Sequence, residues 1–193
     1  MTYNIAFYCK SVPFTAATIN LETSLGGSES ALIYMARELA ILGHEVTVFT
    51  EFADADDCGL YDGVRWEDAE KIVQVSTAIE YDVFISLRMW QIMDEAIRAK
   101  CRILWNQDVL TMPREFTGSL WQVDQLYYVS NWQRQHYQEF LPSSCKEIGY
   151  ATKNGIDLHT VDEAVEGVER DENKLIYISR PERGLFPLLE IFE

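Results

Sequence analysis

Two short clusters in this 193-residue chain combine residue types that do chemistry. The first is Leu25-Gly26-Gly27-Ser28-Glu29, at the head of an amphipathic stretch. Paired glycines ahead of a helix let the backbone come close to a ligand, and the unpaired N–H groups of the first turn favour an anion such as phosphate. The same glycines also suit a loop that needs positive φ and nothing more. Neither Gly-x-Gly-x-x-Gly nor Gly-Lys-Ser/Thr occurs, which argues against dinucleotide enzymes and P-loop nucleotide hydrolases. The second cluster is Asp54-x-Asp56, within FADADD. Two such carboxylates can hold Mg²⁺ or Mn²⁺. They also lie in a strongly acidic segment, and a solvated loop is the preferred reading.

Other reactive types are scattered. Cys9, Cys58, Cys101 and Cys145 form no Cys-x-x-Cys pair, and none of His44, His136 and His159 is close to a cysteine, so a zinc site is not expected. Free thiols in a reducing cytoplasm are. His44 follows Gly43 and reads as part of a helix end. Trp90, Trp105, Trp121 and Trp132 have the faces to stack on sugars, with Trp121 and Trp132 read as packing residues on helices.

These residues need a scaffold, and the hydrophobic pattern supplies one. NIAFYC (residues 4–9), EVTVFT (45–50), DVFISL (82–87), RILW (102–105) and LYYV (126–129) are apolar runs of strand length. Residues 28–42 form a helix, with Ser28 as N-cap, Leu32, Met35, Ala36 and Leu39 on one face, and Gly43 at the C′ position. Further helices are predicted near 89–99 and 131–140, the latter opened by the capping box Ser130-x-x-Gln133. Apolar strands separated by helices predict an α/β, doubly wound, mostly parallel sheet, a Rossmann-like fold. Such sheets bind ligands at the carboxyl ends of their strands. The loops after Cys9, Leu87, Trp105 and Val129 are therefore the places to search.

Composition narrows the class. Hydrophobic residues are 48% and charged residues 24%, as in ordinary globular domains. No apolar run nears the ~20 residues of a membrane helix. The net charge of −15 argues against nucleic-acid binding. Residues 51–70 hold eight acids and one base, and residues 162–172 hold six acids and one base. Both read as solvated loop or linker. Near the end, KLIYI (174–178) predicts a strand and GLFPLLEIFE (184–193) a helix with an apolar face.

Taken in order, the segments resemble a known family. GGSESALIYMARELAILGHEVTVFT, DVFISLR, RILWNQDV, YYVSNWQRQHY, KNGIDL and LIYISRPERGLFPLLEIF resemble the acceptor-side domain, and the start of the donor side, of family-4-like glycosyltransferases with the two-Rossmann GT-B architecture. The likeness covers residues 3–50 and 80–193 and rests on order and spacing rather than on one motif. It implies transfer of a sugar from a nucleotide-sugar to a hydroxyl-bearing acceptor, with retention and without a metal. It implies that Gly26, Gly27, Ser28 and Glu29 lie near the donor phosphates and sugar. It also implies that Arg180 or Arg183 holds the diphosphate, a task that suits a planar guanidinium. Many relatives have His-Asp where this chain has Trp105-Asn106-Gln107-Asp108. Gln107 takes the place of the histidine; it cannot accept a proton but can still bond a sugar hydroxyl, as can Asn106. Asp108 is the candidate catalytic residue, as a hydroxyl ligand or base, or it is a structural turn aspartate.

The expected organisation is an acceptor-side domain over residues 1–151, a linker over 152–173 and the first strand and helix of a truncated donor-binding domain over 174–193. With so little of the donor half, this chain alone is expected to be inactive. No cofactor beyond the nucleotide-sugar co-substrate is expected, and the localisation expected is cytoplasmic. Two rival readings stay open. One is a non-catalytic module that binds a carbohydrate or a partner. The other is a single-domain, metal-dependent glycosyltransferase using Asp54 and Asp56.

Overall fold

The structure is a computed structural model. It describes residues 1–193 apart from residues 16, 18–24, 55–56, 178, 180 and 193, and apart from the side chains of residues 160 and 192. The described residues fall into two compact units, Met1–Asp157 and Leu158–Glu193.

The first unit is built on a sheet of eight strands among the described residues: β1 Asn4–Cys9, β2 Glu45–Thr50, β3 Gly59–Tyr61, β4 Val64–Asp68, β5 Tyr81–Leu87, β6 Ala99–Asn106, β7 Gln125–Tyr128 and β8 Gly149–Ala151. Their order is β3-β4-β2-β1-β5-β6-β7-β8, and every pairing is parallel except β3 with β4. This is the α/β, mostly parallel arrangement of a Rossmann-like fold. The chain winds outward from β1 to β4 on one side and then returns to place β5 on the other side of β1. The direction of winding therefore reverses between β1 and β5.

Alternate residues of the strands feed two cores. On one face Ile5, Phe7, Cys9, Val46 and Val48 pack against Ala31, Leu32, Ile33 and Ala36 of helix α1, Gly27–Ile41. On the other face Ala6, Tyr8, Phe49, Phe84, Leu104, Leu126 and Tyr128 meet α2 (Ile72–Ala78), α3 (Pro113–Gly118) and α4 (Asn131–Gln138), through Ile72, Phe116 and Tyr137. Burial on both faces is why these strands read as unbroken apolar runs. A short α5, Ser143–Lys146, precedes β8.

Several elements differ from the sequence expectation. Helix α1 begins at Gly27 and its N-cap is Gly26, so Ser28 is not the cap. Met35, expected on the buried face, is exposed. The far end behaves as expected: Gly43 has φ +88, and His44 N–H donates to the Leu39 carbonyl while Gly43 N–H donates to that of Ala40. That pair of bonds is the Schellman closure, made by a residue free to enter the left-handed region. Residues 51–70, expected to be loop, contain the β3–β4 hairpin. Asp62 and Gly63 turn it with φ of 51° and 77°, the two positive values of a type I′ turn. The charges of VRWED alternate with the fully buried Val64 and Trp66, and this hid the strand. The helix expected near 89–99 is only a 3₁₀ turn, Trp90–Asp94, because β6 starts at Ala99 and leaves no room for more.

The second unit contains α6, Leu158–Val165, in a stretch expected to be linker, a 3₁₀ turn Pro181–Arg183, and α7, Leu185–Phe192. Residues 174–177, expected to begin a strand, have no regular secondary structure.

Candidate functional site

Open α/β sheets present a crevice at the carboxyl ends of the strands where the winding reverses. Here that crevice is set by the ends of β1 and β5. Ser11 follows β1, Arg88 follows β5 directly, and Glu29 projects from the first turn of α1. These three meet. Glu29 is buried, with only 4% of its surface exposed. Its Oε1 accepts a hydrogen bond from Ser11 Oγ at 2.7 Å and lies 3.4 Å from an Arg88 guanidinium nitrogen. A buried carboxylate requires such partners.

The carboxylate also explains one of the two glycines. A Cβ on Gly26 would run into Glu29 Oε2 and come within 3.2 Å of Glu29 Cδ. A Cβ on Gly27 would meet nothing within 4 Å. Steric demand in this pair falls on Gly26, where the carboxylate folds back beneath the helix start. Ser28 is partly exposed beside them.

Arg88 links this corner to the Asn106-Gln107-Asp108 loop. Its Nε is 2.6 Å from Asp108 Oδ2, an ion pair in which the N–H is not aimed at the oxygen and makes no hydrogen bond. The Asp108 side chain is 60% exposed, but its backbone is held firmly. The Asp108 carbonyl accepts from Gln133 Nε2 at 2.7 Å and from Tyr137 Oη at 3.0 Å. Both donors are buried residues of α4. Gln133 also takes the Val129 N–H on its Oε1 at 2.8 Å, while its own N–H bonds the N-cap Ser130 Oγ at 3.1 Å. The expected capping box is thus half formed: the serine caps as predicted, and the glutamine side chain serves the loop. Burial pushes the Tyr137 phenol well above its usual range, with the Asp108 charge adding to the effect, so it donates as a neutral hydroxyl.

Asn106 is buried, and its amide donates to the Tyr127 carbonyl at 3.2 Å. It ties β6 to β7. Gln107 forms a reciprocal amide pair with Asn154, at 3.1 and 2.8 Å. Arg88, Trp90, Asn106, Gln107, Asp108 and Met112 line a hollow of about 120 Å³. That is below the roughly 300–1,000 Å³ of pockets that bury a whole small molecule, so it is a subsite. A larger hollow of about 570 Å³, touching Glu45, Arg65 and Tyr81, lies at the amino ends of β2, β4 and β5. The topology places ligands at the other end, and the polar cluster is there too.

The remaining candidates lie elsewhere. Asp54 shares a turn with Asp57, whose N–H donates to the Asp54 carbonyl at 3.0 Å; Asp56 lies outside the described residues. Among the described residues no three His, Cys, Asp or Glu side chains are grouped to hold a metal ion. Arg180 also lies outside the described residues, and Arg183 is exposed in the second unit. The His44 backbone N–H closes the helix end, as expected, while its ring Nδ1 accepts the Tyr3 N–H at 3.3 Å, just before β1. Trp121 and Trp132, expected to pack, are 74% and 64% exposed, whereas Trp105 is core. Cys9 is buried beside Ser11, and burial pushes its thiol up to about 11, with the hydrogen bond it shares with Ser11 opposing and the Glu29 charge reinforcing. It is un-ionised and unsuited to act as a nucleophile.

Ser11, Arg88, Gln133 and Tyr137 are not among the site residues read from the sequence, where Gln133 enters only as part of a capping box. The signal for Arg88 was its position, the first residue after a strand whose following loop was marked for search. Gln133 and Tyr137 carried only a helical signature. No protein-family model matches the chain, and no curated protein matches it significantly. No helix among the described residues is long and apolar enough to cross a membrane.

Proposed function

We propose that the first unit is the acceptor-side half of a glycosyltransferase that moves a sugar from a nucleotide-sugar to a hydroxyl-bearing acceptor, with retention and without a metal, in the cytoplasm. One observation carries this reading. Arg88 joins the glycine-led start of α1, through Glu29, to the Asn106-Gln107-Asp108 loop, at the point where the sheet reverses. Glu29 and Arg88 are 59 residues apart in sequence. The start of α1 and the Asn106-Gln107-Asp108 loop are two of the segments on which the family resemblance rests.

In this reading Asp108 holds a sugar hydroxyl beside Arg88, and the first turn of α1 faces the donor phosphates. The leaving phosphate can take the acceptor's proton, so glutamine at position 107 is compatible with transfer.

The test is transfer by the protein expressed from its whole reading frame. Labelled UDP-, GDP-, ADP- and dTDP-sugars are offered with a panel of glycoside acceptors, and products are read by mass spectrometry. Transfer or slow donor hydrolysis, reduced at least about tenfold (~1.4 kcal/mol) by Asp108→Ala, is expected. Folded protein that consumes none of these donors refutes the reading.

A further inference from the structure

Two non-glycine residues among those described have positive φ. Asp62 has a plain reason, the hairpin turn. Arg88, at φ +67, has none of that kind: it follows β5 and leads into a 3₁₀ turn. A side chain in the left-handed region is disfavoured sterically, and such strain gathers at binding sites. Here it accompanies a guanidinium held between a buried carboxylate and an exposed one.

The charges around it are unbalanced. Glu29 and Asp108 contribute two negative charges and Arg88 one positive. Among the described lining residues of the hollow, Arg88 and Asp108 alone are charged. Glu29, which is buried, answers Arg88 from one side. An incoming carboxylate or phosphate therefore meets an Arg88 already neutralised and an Asp108 that repels it. A cation would lose Asp108's partner but gain no other acceptor of full charge. An uncharged ligand with two adjacent hydroxyls fits better. One hydroxyl donates to the Asp108 carboxylate while its neighbour accepts from the Arg88 guanidinium. Both charges remain paired, and each hydrogen bond has an ionic partner, which makes it stronger than a neutral one. Trp90, half-buried at the same hollow, offers an apolar wall to the ring that carries the hydroxyls.

We propose that Arg88 and Asp108 form a donor–acceptor clamp for the vicinal diol of an uncharged sugar, and that they select against anionic sugars. Glu29 is a positioning residue that acts through Arg88. This rests on the glycosyltransferase reading for its biological setting, and it narrows the acceptor to a neutral glycoside.

The experiment measures binding, not transfer. Saturation-transfer NMR is run on the whole chain with the methyl glycosides of glucose, galactose and mannose, and with glucuronate and glucose 6-phosphate. At least one neutral glycoside is expected to bind about tenfold more tightly than either anion. Asp108→Asn, at an exposed side chain, should cut that ratio to about threefold or less. Arg88→Lys, which keeps a charge for Glu29 but lacks the planar fork, should weaken neutral binding at least about fivefold; thermal melting confirms that both variants fold. Equal or tighter binding of the anions, or no binding of any glycoside at millimolar concentration, overturns the clamp. So does an unchanged preference in Asp108→Asn. Glycoside binding without any transfer would instead refute the enzymatic reading and leave the clamp standing.

Discussion

Gly26 and Gly27 are neighbours in sequence and opposites in environment, so replacing each by alanine should move stability in opposite directions. At Gly26 the added methyl meets the Glu29 carboxylate. That group is the end of a flexible side chain, but it is pinned by Ser11 and Arg88 in a buried place, so moving it breaks a hydrogen bond to a charged group. Such a bond is worth about 1.5–3 kcal/mol. Alanine is also a poorer N-cap than glycine, which adds about 0.5–1 kcal/mol. A total of about 2–4 kcal/mol corresponds to a fall of roughly 6–12 °C in Tm for a domain of this size. Gly27 is the first helical residue, and its Cβ would stand in open space. Alanine there should stabilise by up to about 0.5–1 kcal/mol through reduced freedom of the unfolded chain. Calorimetric Tm of both variants is the first assay. The second is a double-mutant cycle of Gly26→Ala with Glu29→Ala. If the carboxylate is the obstacle, Gly26→Ala in the Glu29→Ala background should cost only the capping part, about 1 kcal/mol or less. Equal effects of the two alanines, or strict additivity in the cycle, would show that Glu29 does not occupy the space beneath Gly26.

Two further expectations concern the scaffold. Arg102 is buried and donates to the carbonyls of Met93 at 2.8 Å and Glu95 at 3.3 Å and to the Gln122 side chain; Arg102→Met should lower stability by about 2–3 kcal/mol by leaving acceptors without a donor, and a urea midpoint shift below about 0.5 kcal/mol would contradict this. Asp82 is held below the usual carboxylate range, first by its hydrogen bond from Lys100 and then by the Asn4 N–H. A depressed folded-state value stabilises above the unfolded-state value, near pH 4, and that stabilisation is lost as pH falls through the folded-state one. Asp82→Asn should therefore be less stable than the parent at pH 7, with the gap closing on acidification; a gap independent of pH would refute the pairing.

The features legible in the sequence were those fixed by local pattern. The strands buried on both faces could be read because nothing in NIAFYC or DVFISL faces water for long. Gly43 could be read because only the C′ role explains a glycine between a helical stretch and EVTVFT. β4 could not, since a strand one place in from the margin that shows one face to solvent reads VRWED, and the acids outweigh the alternation. The helix expected near 89–99 failed because pattern says nothing of how soon the next strand must start. At the site, Glu29 and Asp108 were visible as residue types. Their meeting was not, because Arg88 is linked to Glu29 across 59 residues and depends on a backbone conformation that no arginine advertises.

Both margins of the sheet end in three-residue strands, Gly59–Tyr61 on one side and Gly149–Ala151 on the other. A parallel sheet is otherwise an invitation to grow, since an open margin offers unpaired N–H and C=O groups to any extended chain. Three residues are too few to template much of a neighbour. The hairpin side is further guarded by the surplus of acids in residues 51–70, which repels a second copy of itself. The acidity of that segment thus bears on association as well as on ligands, since like charges at this margin oppose strand-to-strand addition. Neutralising Glu67, Asp68 and Glu70 together should make the chain more prone to aggregate, read by light scattering, at some cost in stability because Asp68 caps the turn at Glu70.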